Sequence, residues 1–175
     1  MKIWVGFVLP KKIFKEIVNV QKEISRKYDT YISVQSRIGP HLTFTFQPIV
    51  ESRNIVKIEE TIEQISKEMK PFKMETCDVA RFYKTKTLYM KVVKSDALNE
   101  LYRMLSYRLR RYGKIRRYRP FNPHVTIART DITDEALSKA FAELKKRKFH
   151  YRFVFDRIYL AKGKQRTSVY KSLKL

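Results

Sequence analysis

The sequence contains one five-residue pattern twice, as Pro40-His41-Leu42-Thr43-Phe44 and again as Pro123-His124-Val125-Thr126-Ile127. In both copies a proline precedes alternating polar and apolar residues, which is typical of a β-strand with one buried face. The histidines at positions 41 and 124 are 83 residues apart, about half of the 175-residue chain. This spacing predicts a duplicated unit whose halves are related by an approximate twofold axis.

Strands and helices alternate on both sides of the two motifs. Apolar residues recur every three or four positions over residues 13–24, 55–69, 98–109 and 137–144, which predicts four amphipathic helices. Segments rich in β-branched and aromatic residues predict strands at 2–8, 31–34, 41–46, 72–83, 87–93, 124–129, 151–161 and 167–173. The order predicts α+β lobes with antiparallel-rich sheets, each covered by helices on one face. The two motif strands would then lie side by side or face each other across a cleft.

The composition is strongly basic, because 39 Lys and Arg residues against 17 Asp and Glu residues give a formal net charge of +22. A positive field of this size attracts polyanions, above all nucleic acids and nucleotides, although a basic surface can also serve solubility alone. We expect no membrane partner, since neither a long apolar span nor a lipidation signal is present. With 43% apolar residues and only 4 glycines, residues 1–175 are expected to form one packed domain.

The single cysteine helps to predict the cellular compartment of the protein. Cys77 cannot form an intramolecular disulfide, which favours a reducing cytoplasm. The first ten residues lack a small-residue cleavage site and continue directly into lysines, so they are predicted to form a strand rather than a secretory signal. We therefore expect a cytoplasmic protein, and we expect it to be monomeric.

The alternation within each motif separates polar from apolar side chains. In the first strand His41, Thr43 and Thr45 are expected on one face, with the apolar residues between them on the other. The second strand repeats this arrangement with His124 and Thr126. If the apolar residues pack beneath the helices, each strand presents an imidazole and a hydroxyl, two residues apart, on an open face.

This arrangement suits a phosphodiester. Its hydrolysis requires a base that takes a proton from the attacking water or hydroxyl, and an acid that protonates the departing oxygen. One neutral and one protonated imidazole, from His41 and His124, can serve on opposite sides of phosphorus. The hydroxyls of Thr43 and Thr126 can donate hydrogen bonds to the non-bridging oxygens.

Two other interpretations of the motifs are open. A single His-x-Thr on a strand is usually only a hydrogen-bonded surface pair, but here two of the three histidines fall in matching motifs. A zinc site would need a third ligand, and neither motif strand supplies a carboxylate or thiol. We therefore predict neither a metal nor another cofactor, and we interpret His150 as an ordinary surface residue.

The paired Pro-His-Leu-Thr-Phe and Pro-His-Val-Thr-Ile segments resemble the motifs of the 2H phosphoesterase superfamily, more narrowly its RNA 2′,3′-cyclic phosphodiesterase branch, the 2′-5′ RNA ligase-like proteins. The resemblance covers nearly the whole chain in length, element order and motif position. It implies a bilobal, duplicated fold of two antiparallel-rich sheets around a central V-shaped cleft, with both motifs on the floor of the cleft and helices on the outer faces. It also implies hydrolysis of a 2′,3′-cyclic phosphate to a 2′-phosphate, with 2′-5′ joining of RNA as the related reverse reaction.

The resemblance also implies residue roles. The family's usual assignment makes His41 the acid and His124 the base, whereas the residues alone leave the two roles open. Members of this branch often carry an arginine five residues after the second histidine, which here is Arg129, a candidate phosphate contact. Simple alternation places Arg129 on the face opposite His124 unless the strand ends or bulges before it.

The segment leading into the second motif is a candidate RNA contact. Between residues 102 and 121 arginines alternate with aromatic residues, a combination that binds single-stranded nucleic acid through phosphate contacts and base stacking. The competing interpretation is a solvated helix face whose tyrosines lie partly in the core. The predicted RNA contacts are Tyr112, Arg116, Arg117, Arg119 and Phe121.

Three functions are compatible with these features. The first is hydrolysis of 2′,3′-cyclic phosphate ends of RNA. The second keeps the chemistry but acts on 2′-5′ linked oligonucleotides or cyclic nucleotides. The third is an RNA-binding protein without turnover, which the paired His and Thr residues argue against, because binding alone needs positive charge and stacking. The expected partner is RNA or a nucleotide with a cyclic phosphate or a 2′-5′ linkage.

Overall fold

The computed structural model describes residues 2–28, 38–47, 50–113, 121–129, 133–163 and 168–175. The strands are β1 (Lys2–Val8), β2 (His41–Gln47), β3 (Phe72–Phe82), β4 (Thr87–Val92), β5 (His124–Arg129), β6 (Arg152–Phe155), β7 (Arg157–Gly163) and β8 (Ser168–Lys174). The helices are α1 (Lys11–Tyr28), α2 (Ile55–Glu68), α3 (Asp96–Leu109) and α4 (Asp134–Lys145). The strand predicted at 31–34 lies outside the described residues, and the strand predicted at 151–161 is divided into β6 and β7.

The described strands form one antiparallel sheet, in the order β6-β3-β4-β5-β2-β1-β7-β8. The α+β prediction is therefore confirmed. Four strands lie on each side of the β2–β5 junction, where Leu42 pairs with Val125. The two motif strands are thus adjacent at the centre of the sheet.

The two halves repeat each other in detail. The segment β1-α1-β2 has the same order as β4-α3-β5, and the motif strands begin at His41 and His124. The ladder between β1 and β2 shifts register between Val5 and Gly6, and the ladder between β4 and β5 shifts between Leu88 and Tyr89. The offset that separates the histidines also separates these two bulges.

The first helix of each half packs against the motif strand of the other half. Helix α1 contacts β5, and α3 contacts β2. The apolar side chains between them are buried, and fully burying one Leu, Ile or Phe side chain contributes about 1.5–3 kcal/mol. Those of the motif strands are Leu42, Phe44, Val125 and Ile127.

Among the described residues, no helix combines the length and apolar character that crossing a bilayer requires.

An ionic cluster joins α1 to α4. The carboxylate of Glu143 accepts hydrogen bonds from Lys27 Nζ at 2.5 Å, Tyr28 Oη at 2.7 Å and Arg147 Nη2 at 2.9 Å. The hydrogen bonds from Lys27 and Tyr28 lower the pKa of Glu143 to about 2, against the opposing effect of burial. The cluster therefore favours the charged carboxylate in the folded state.

Glu143→Gln is expected to lower the free energy of unfolding by about 1 kcal/mol at pH 7, a modest value because the cluster lies near solvent. A lowered folded-state pKa stabilises the fold above the unfolded value of 4.5, and this contribution is lost as pH falls towards 2. Urea unfolding of wild type and variant should therefore show a smaller difference at pH 3 than at pH 7.

The matched control lies on the same helix. Glu135 pairs with Lys139, and both side chains are largely exposed. Glu135→Gln should change the free energy of unfolding much less than Glu143→Gln, because solvent screens an exposed i,i+4 pair. Equal losses for the two variants would contradict the special role of the Glu143 cluster.

Candidate active site

The pairing of β2 with β5 places the four motif residues next to one another in the sheet. Leu42 and Val125 pair across the β2–β5 junction, so continuing that register by one residue places His41 opposite Thr126 and His124 opposite Thr43. Directly opposite residues share one face of a sheet, and diagonal Cα atoms are about 7–8 Å apart. The two histidines therefore lie diagonally across one junction, with a threonine beside each.

This set lies on the accessible face. His41, Thr43, His124 and Thr126 are all partly exposed, whereas the apolar residues that alternate with them are buried. Thr45 is different, because only 1% of its surface is exposed, so the prediction that it shares the open face is wrong. The register shift leaves one extra residue in β2 immediately before Thr45, and this bulge interrupts the alternation.

Both imidazoles are oriented by the same backbone contact. The Nδ1 atom of His41 lies 2.7 Å from the carbonyl oxygen of Gly39, and Nδ1 of His124 lies 2.7 Å from the carbonyl oxygen of Asn122. A carbonyl only accepts hydrogen bonds, so Nδ1 carries a proton in each ring. The Nε2 atom of each ring is therefore the position where a proton can be gained or lost, as acid–base chemistry requires.

The surroundings of His41 favour its neutral form. The rings of Trp4 and His41 meet at an interplanar angle of 83°, with their centroids 5.0 Å apart. Burial lowers the pKa of His41, the hydrogen bond with Gly39 opposes this, and the charge of His124 lowers the pKa further. That electrostatic effect of His124 on His41 is consistent with two imidazoles facing the same space.

His124 has different neighbours. Phe82 and Tyr89 are stacked on each other at 4.2 Å, and each presents a ring to His124, at centroid distances of 5.2 and 5.1 Å. The side-chain amide of Asn122 donates to the hydroxyl of Tyr89 at 3.3 Å. The two histidines thus share a backbone contact but not an aromatic environment.

Comparison with known proteins identifies the family. The family model described as the 2′-5′ RNA ligase superfamily matches residues 10–167. The chain belongs to the 2′-5′ RNA ligase superfamily. This is the superfamily of 2H phosphoesterases that the paired motifs resemble, so the resemblance noted in the sequence is confirmed.

Similar proteins cover almost the entire chain. The phosphoesterase-like protein BH1439 of Halalkalibacterium halodurans is 28% identical over 154 residues, which are 87% of this chain and 84% of that protein. The structure of TT0787 from Thermus thermophilus aligns over 100% of this chain and 98% of its own, with a TM-score of 0.79 and 15% identity. Escherichia coli LigT, in complex with 3′-AMP, aligns over 99% and 97%, with a TM-score of 0.77 and 17% identity.

A buried glutamine supports the second 2H motif from the other half of the molecule. Gln21 of α1 is fully buried, and its side-chain amide donates to the backbone carbonyl of Thr126 at 3.0 Å. The register shift in β5 leaves Ile127 as an extra residue directly after Thr126. A bulge disrupts ladder hydrogen bonds locally, and the Gln21 amide gives the adjacent carbonyl a donor.

The same bulge bears on Arg129. Ile127 is an extra residue between His124 and Arg129, so simple alternation fails there. A bulge before Arg129 is one of the two features that would allow its side chain to share the face of His124. The backbone of Arg129 pairs with Thr87, while its side chain lies outside the described residues. Its role as a phosphate contact stays a prediction.

The predicted RNA contacts are only partly described. Arg116, Arg117 and Arg119 lie outside the described residues. Phe121 is half-buried and stacks on Tyr102 at 3.9 Å, and Tyr112 is half-buried with its hydroxyl 3.0 Å from that of Thr61. Both aromatic residues pack against the main core, so they serve the fold whether or not they contact RNA.

Residues that sequence reasoning missed lie around the motifs. Trp4, Gln21, Phe82 and Tyr89 contact motif residues, but each looks like an ordinary strand or helix residue in the sequence. The one available signal is that Trp4 is the only tryptophan in the chain. Within the described ranges, no three His, Cys, Asp or Glu side chains converge as a set that could hold a metal ion.

Gly39→Ala is expected to displace the acceptor that orients His41. Gly39 has a φ of 69°, in the left-handed region, and an added Cβ would overlap the ring of Phe14. The variant should lose about 1 kcal/mol or more of stability, and the ¹⁵N resonances of the His41 ring should move. Thermal unfolding and imidazole NMR measure the two effects.

Asn122→Ala is the matched control in the other half. The hydrogen bond from His124 uses the backbone carbonyl of Asn122, which alanine retains. Among the residues that the structure describes, the side-chain hydrogen bond that alanine removes is the one with Tyr89, so the His124 ring resonances should change little. A similar disturbance of both rings by the two variants would argue against orientation by the backbone carbonyls.

Proposed function

We propose that the protein is a metal-independent phosphodiesterase that hydrolyses RNA 2′,3′-cyclic phosphate ends to 2′-phosphates. The observation that carries this proposal is the diagonal placement of His41 and His124, each with Nδ1 protonated by the same backbone contact. Two groups that exchange protons at Nε2, on one accessible face, are what an in-line displacement at phosphorus requires.

The reaction needs one histidine in each protonation state. The neutral imidazole takes a proton from water as the water oxygen bonds to phosphorus. The protonated imidazole gives its proton to the 3′ oxygen as the bond between that oxygen and phosphorus breaks. The products are a 2′-phosphate and a free 3′ hydroxyl, and the protons taken and given leave the histidine pair with its original charge.

The threonines are proposed to bind the phosphate. Thr43 and Thr126 lie opposite the two histidines in the register, so a phosphate between the imidazoles also meets both hydroxyls. Each hydroxyl donates to one non-bridging oxygen, where negative charge grows in the transition state. Arg129 is proposed as a further phosphate contact.

The substrate class rests on charge and on relatives. The net charge of +22 favours a polyanion over a neutral or cationic substrate. Solved structures of Escherichia coli LigT contain 3′-AMP, phosphate, ATP or NADP+. We infer a nucleotide or an RNA end as the ligand here, bound by a monomer in the cytoplasm, with Arg116, Arg117 and Arg119 as candidate contacts to the RNA chain.

The same chemistry supports a second substrate. A 2′-5′ linked oligonucleotide or a cyclic nucleotide also presents a phosphodiester between two ester oxygens, and it would use the same two histidines. Joining of RNA ends through a 2′-5′ linkage follows from the reverse of the cleavage step. Which substrate is turned over fastest distinguishes these activities from each other. Turnover of any of them distinguishes an enzyme from a protein that only binds RNA.

Alanine variants test the assignment. His41→Ala and His124→Ala should each reduce hydrolysis of a 2′,3′-cyclic phosphate RNA by roughly 10²- to 10⁴-fold, because each removes one proton-transfer step. Wild-type activity should persist in EDTA. Turnover is measured by separating the 2′-phosphate product from its 3′ isomer, with 2′-5′ dinucleotides and cyclic dinucleotides assayed in parallel.

His150→Ala is the matched control, since His150 is the third histidine and is exposed. It should leave the rate unchanged. Wild-type rates retained by either motif variant would contradict the assignment, as would loss of activity in EDTA. If wild type and variants bind RNA but turn over neither the cyclic phosphate RNA nor the dinucleotides, the alternative of RNA binding without turnover would be supported.

The leaving group distinguishes acid from base. We propose the family's assignment, in which His41 is the acid. Burial lowers the pKa of His41, and a negative phosphate beside the ring would raise it, so substrate binding would favour the protonated form. A p-nitrophenyl phosphodiester of a nucleotide departs without a proton. His41→Ala should therefore retain at least ten times more of the wild-type rate on that ester than His124→Ala, and the opposite order would exchange the roles.

A further inference from the structure

The indole of Trp4 is built into the first motif. Trp4 lies on β1 with 4% of its surface exposed. Its Nε1 atom donates to the hydroxyl oxygen of Thr43 at 2.8 Å, across 39 positions of sequence, while its ring meets that of His41 in a T-shaped contact. One side chain therefore contacts both polar residues of the motif.

The backbone makes room for this ring. Gly6 is two residues further along β1 and pairs with Thr43. A Cβ at Gly6 would overlap the six-membered ring of Trp4 and the carbonyl of Leu42. The absence of a side chain at Gly6 is thus what allows the indole to lie along the strand and reach Thr43.

The direction of the hydrogen bond has a chemical consequence. An indole N–H only donates, so the Thr43 oxygen must accept in this contact. The Thr43 hydroxyl proton is then available to an acceptor other than Trp4, and a donor to its oxygen strengthens the bond that it donates. A phosphate oxygen beside His41 is an acceptor of that kind.

The second motif has no such contact. Trp4 is the only tryptophan in the sequence, so no indole can donate to Thr126. The position equivalent to Trp4, one motif spacing along the chain, is Thr87, which is buried and donates to the carbonyl of Thr85 at 2.9 Å. The two threonines therefore differ in their hydrogen bonding, although their strands repeat each other.

We propose that Trp4 is a positioning residue that fixes Thr43 as a hydrogen-bond donor to the phosphate of the substrate, and that holds the His41 ring beside it. The inference rests on the proposed function, in that a phosphate binds between the two motifs. It adds a residue outside the motifs that acts through one of them and makes the two halves of the site unequal.

A double-mutant cycle tests this coupling. Trp4→Phe keeps an aromatic ring but removes the N–H, and it should lower kcat/KM by about 3- to 10-fold, the effect of losing one hydrogen bond. In a Thr43→Val background the same change should have almost no effect, because the group through which Trp4 acts is gone. An equal loss in both backgrounds would overturn the proposal.

Two further variants address packing. Benzothienylalanine at position 4 keeps the shape of the indole and replaces N–H by sulfur, so it should reproduce the Trp4→Phe effect without the loss of ring volume. Phe82→Leu changes the aromatic wall beside His124, and its effect should be the same with Thr43 or Val at position 43. Wild-type kcat/KM for the benzothienyl variant would overturn the proposal.

Fluorescence gives a readout that needs no turnover, since Trp4 alone supplies the tryptophan emission. A protonated imidazole quenches a neighbouring indole, so emission should rise with pH around a midpoint below 6.5, the ordinary pKa of histidine, and His41→Ala should abolish this step. Inorganic phosphate should raise the midpoint in wild type, and less so in Thr43→Val.

The two methods separate the two proposals. A phosphate-sensitive midpoint that depends on Thr43, without turnover of any diester, would support the Trp4 inference and contradict the proposed function. The opposite result would be turnover of a diester, additive effects of Trp4→Phe and Thr43→Val, and a phosphate-induced midpoint shift that does not depend on Thr43. It would support the proposed function and contradict the Trp4 inference.

Discussion

Burial of Leu42 and Val125, where β2 pairs with β5, is the constraint on which the site depends. A slip of one residue would turn buried side chains towards water and place imidazoles in the apolar layer, so hydrophobic burial strongly fixes the register. That fixed register sets the separation between His41 and His124. Hydrophobic packing beneath the sheet thus determines the geometry of polar chemistry above it.

The two halves orient their histidines with the same kind of backbone acceptor, but the side chains around the two histidines differ. Carbonyl oxygens two residues before each histidine fix the same tautomer in both rings. Around them, however, Trp4 occupies one side, and Phe82 with Tyr89 the other. Such a difference suits a reaction in which one group gives up a proton while its counterpart accepts one.

Periodicity accounts for what the sequence could predict. Apolar spacing identified the four helices and most strands, and the repeated motif identified the residues that meet at β2 and β5. The bulges were not predictable, because Phe44 and Ile127 look like any buried strand residue, so Thr45 was assigned to the wrong face. The contacts of Trp4 and Gln21 with the motifs span 39 and 105 positions and leave no local pattern.

The helix–strand contacts between the two halves make their packing interdependent. Because α1 contacts β5 and α3 contacts β2, each half supplies a helix that packs against the motif strand of the other half. Removing the helix of one half would uncover part of the other half's central strand, so local melting of one would expose apolar surface on both. The cleft is accordingly expected to form and dissolve as a single cooperative unit, with no half-assembled state that retains one working histidine.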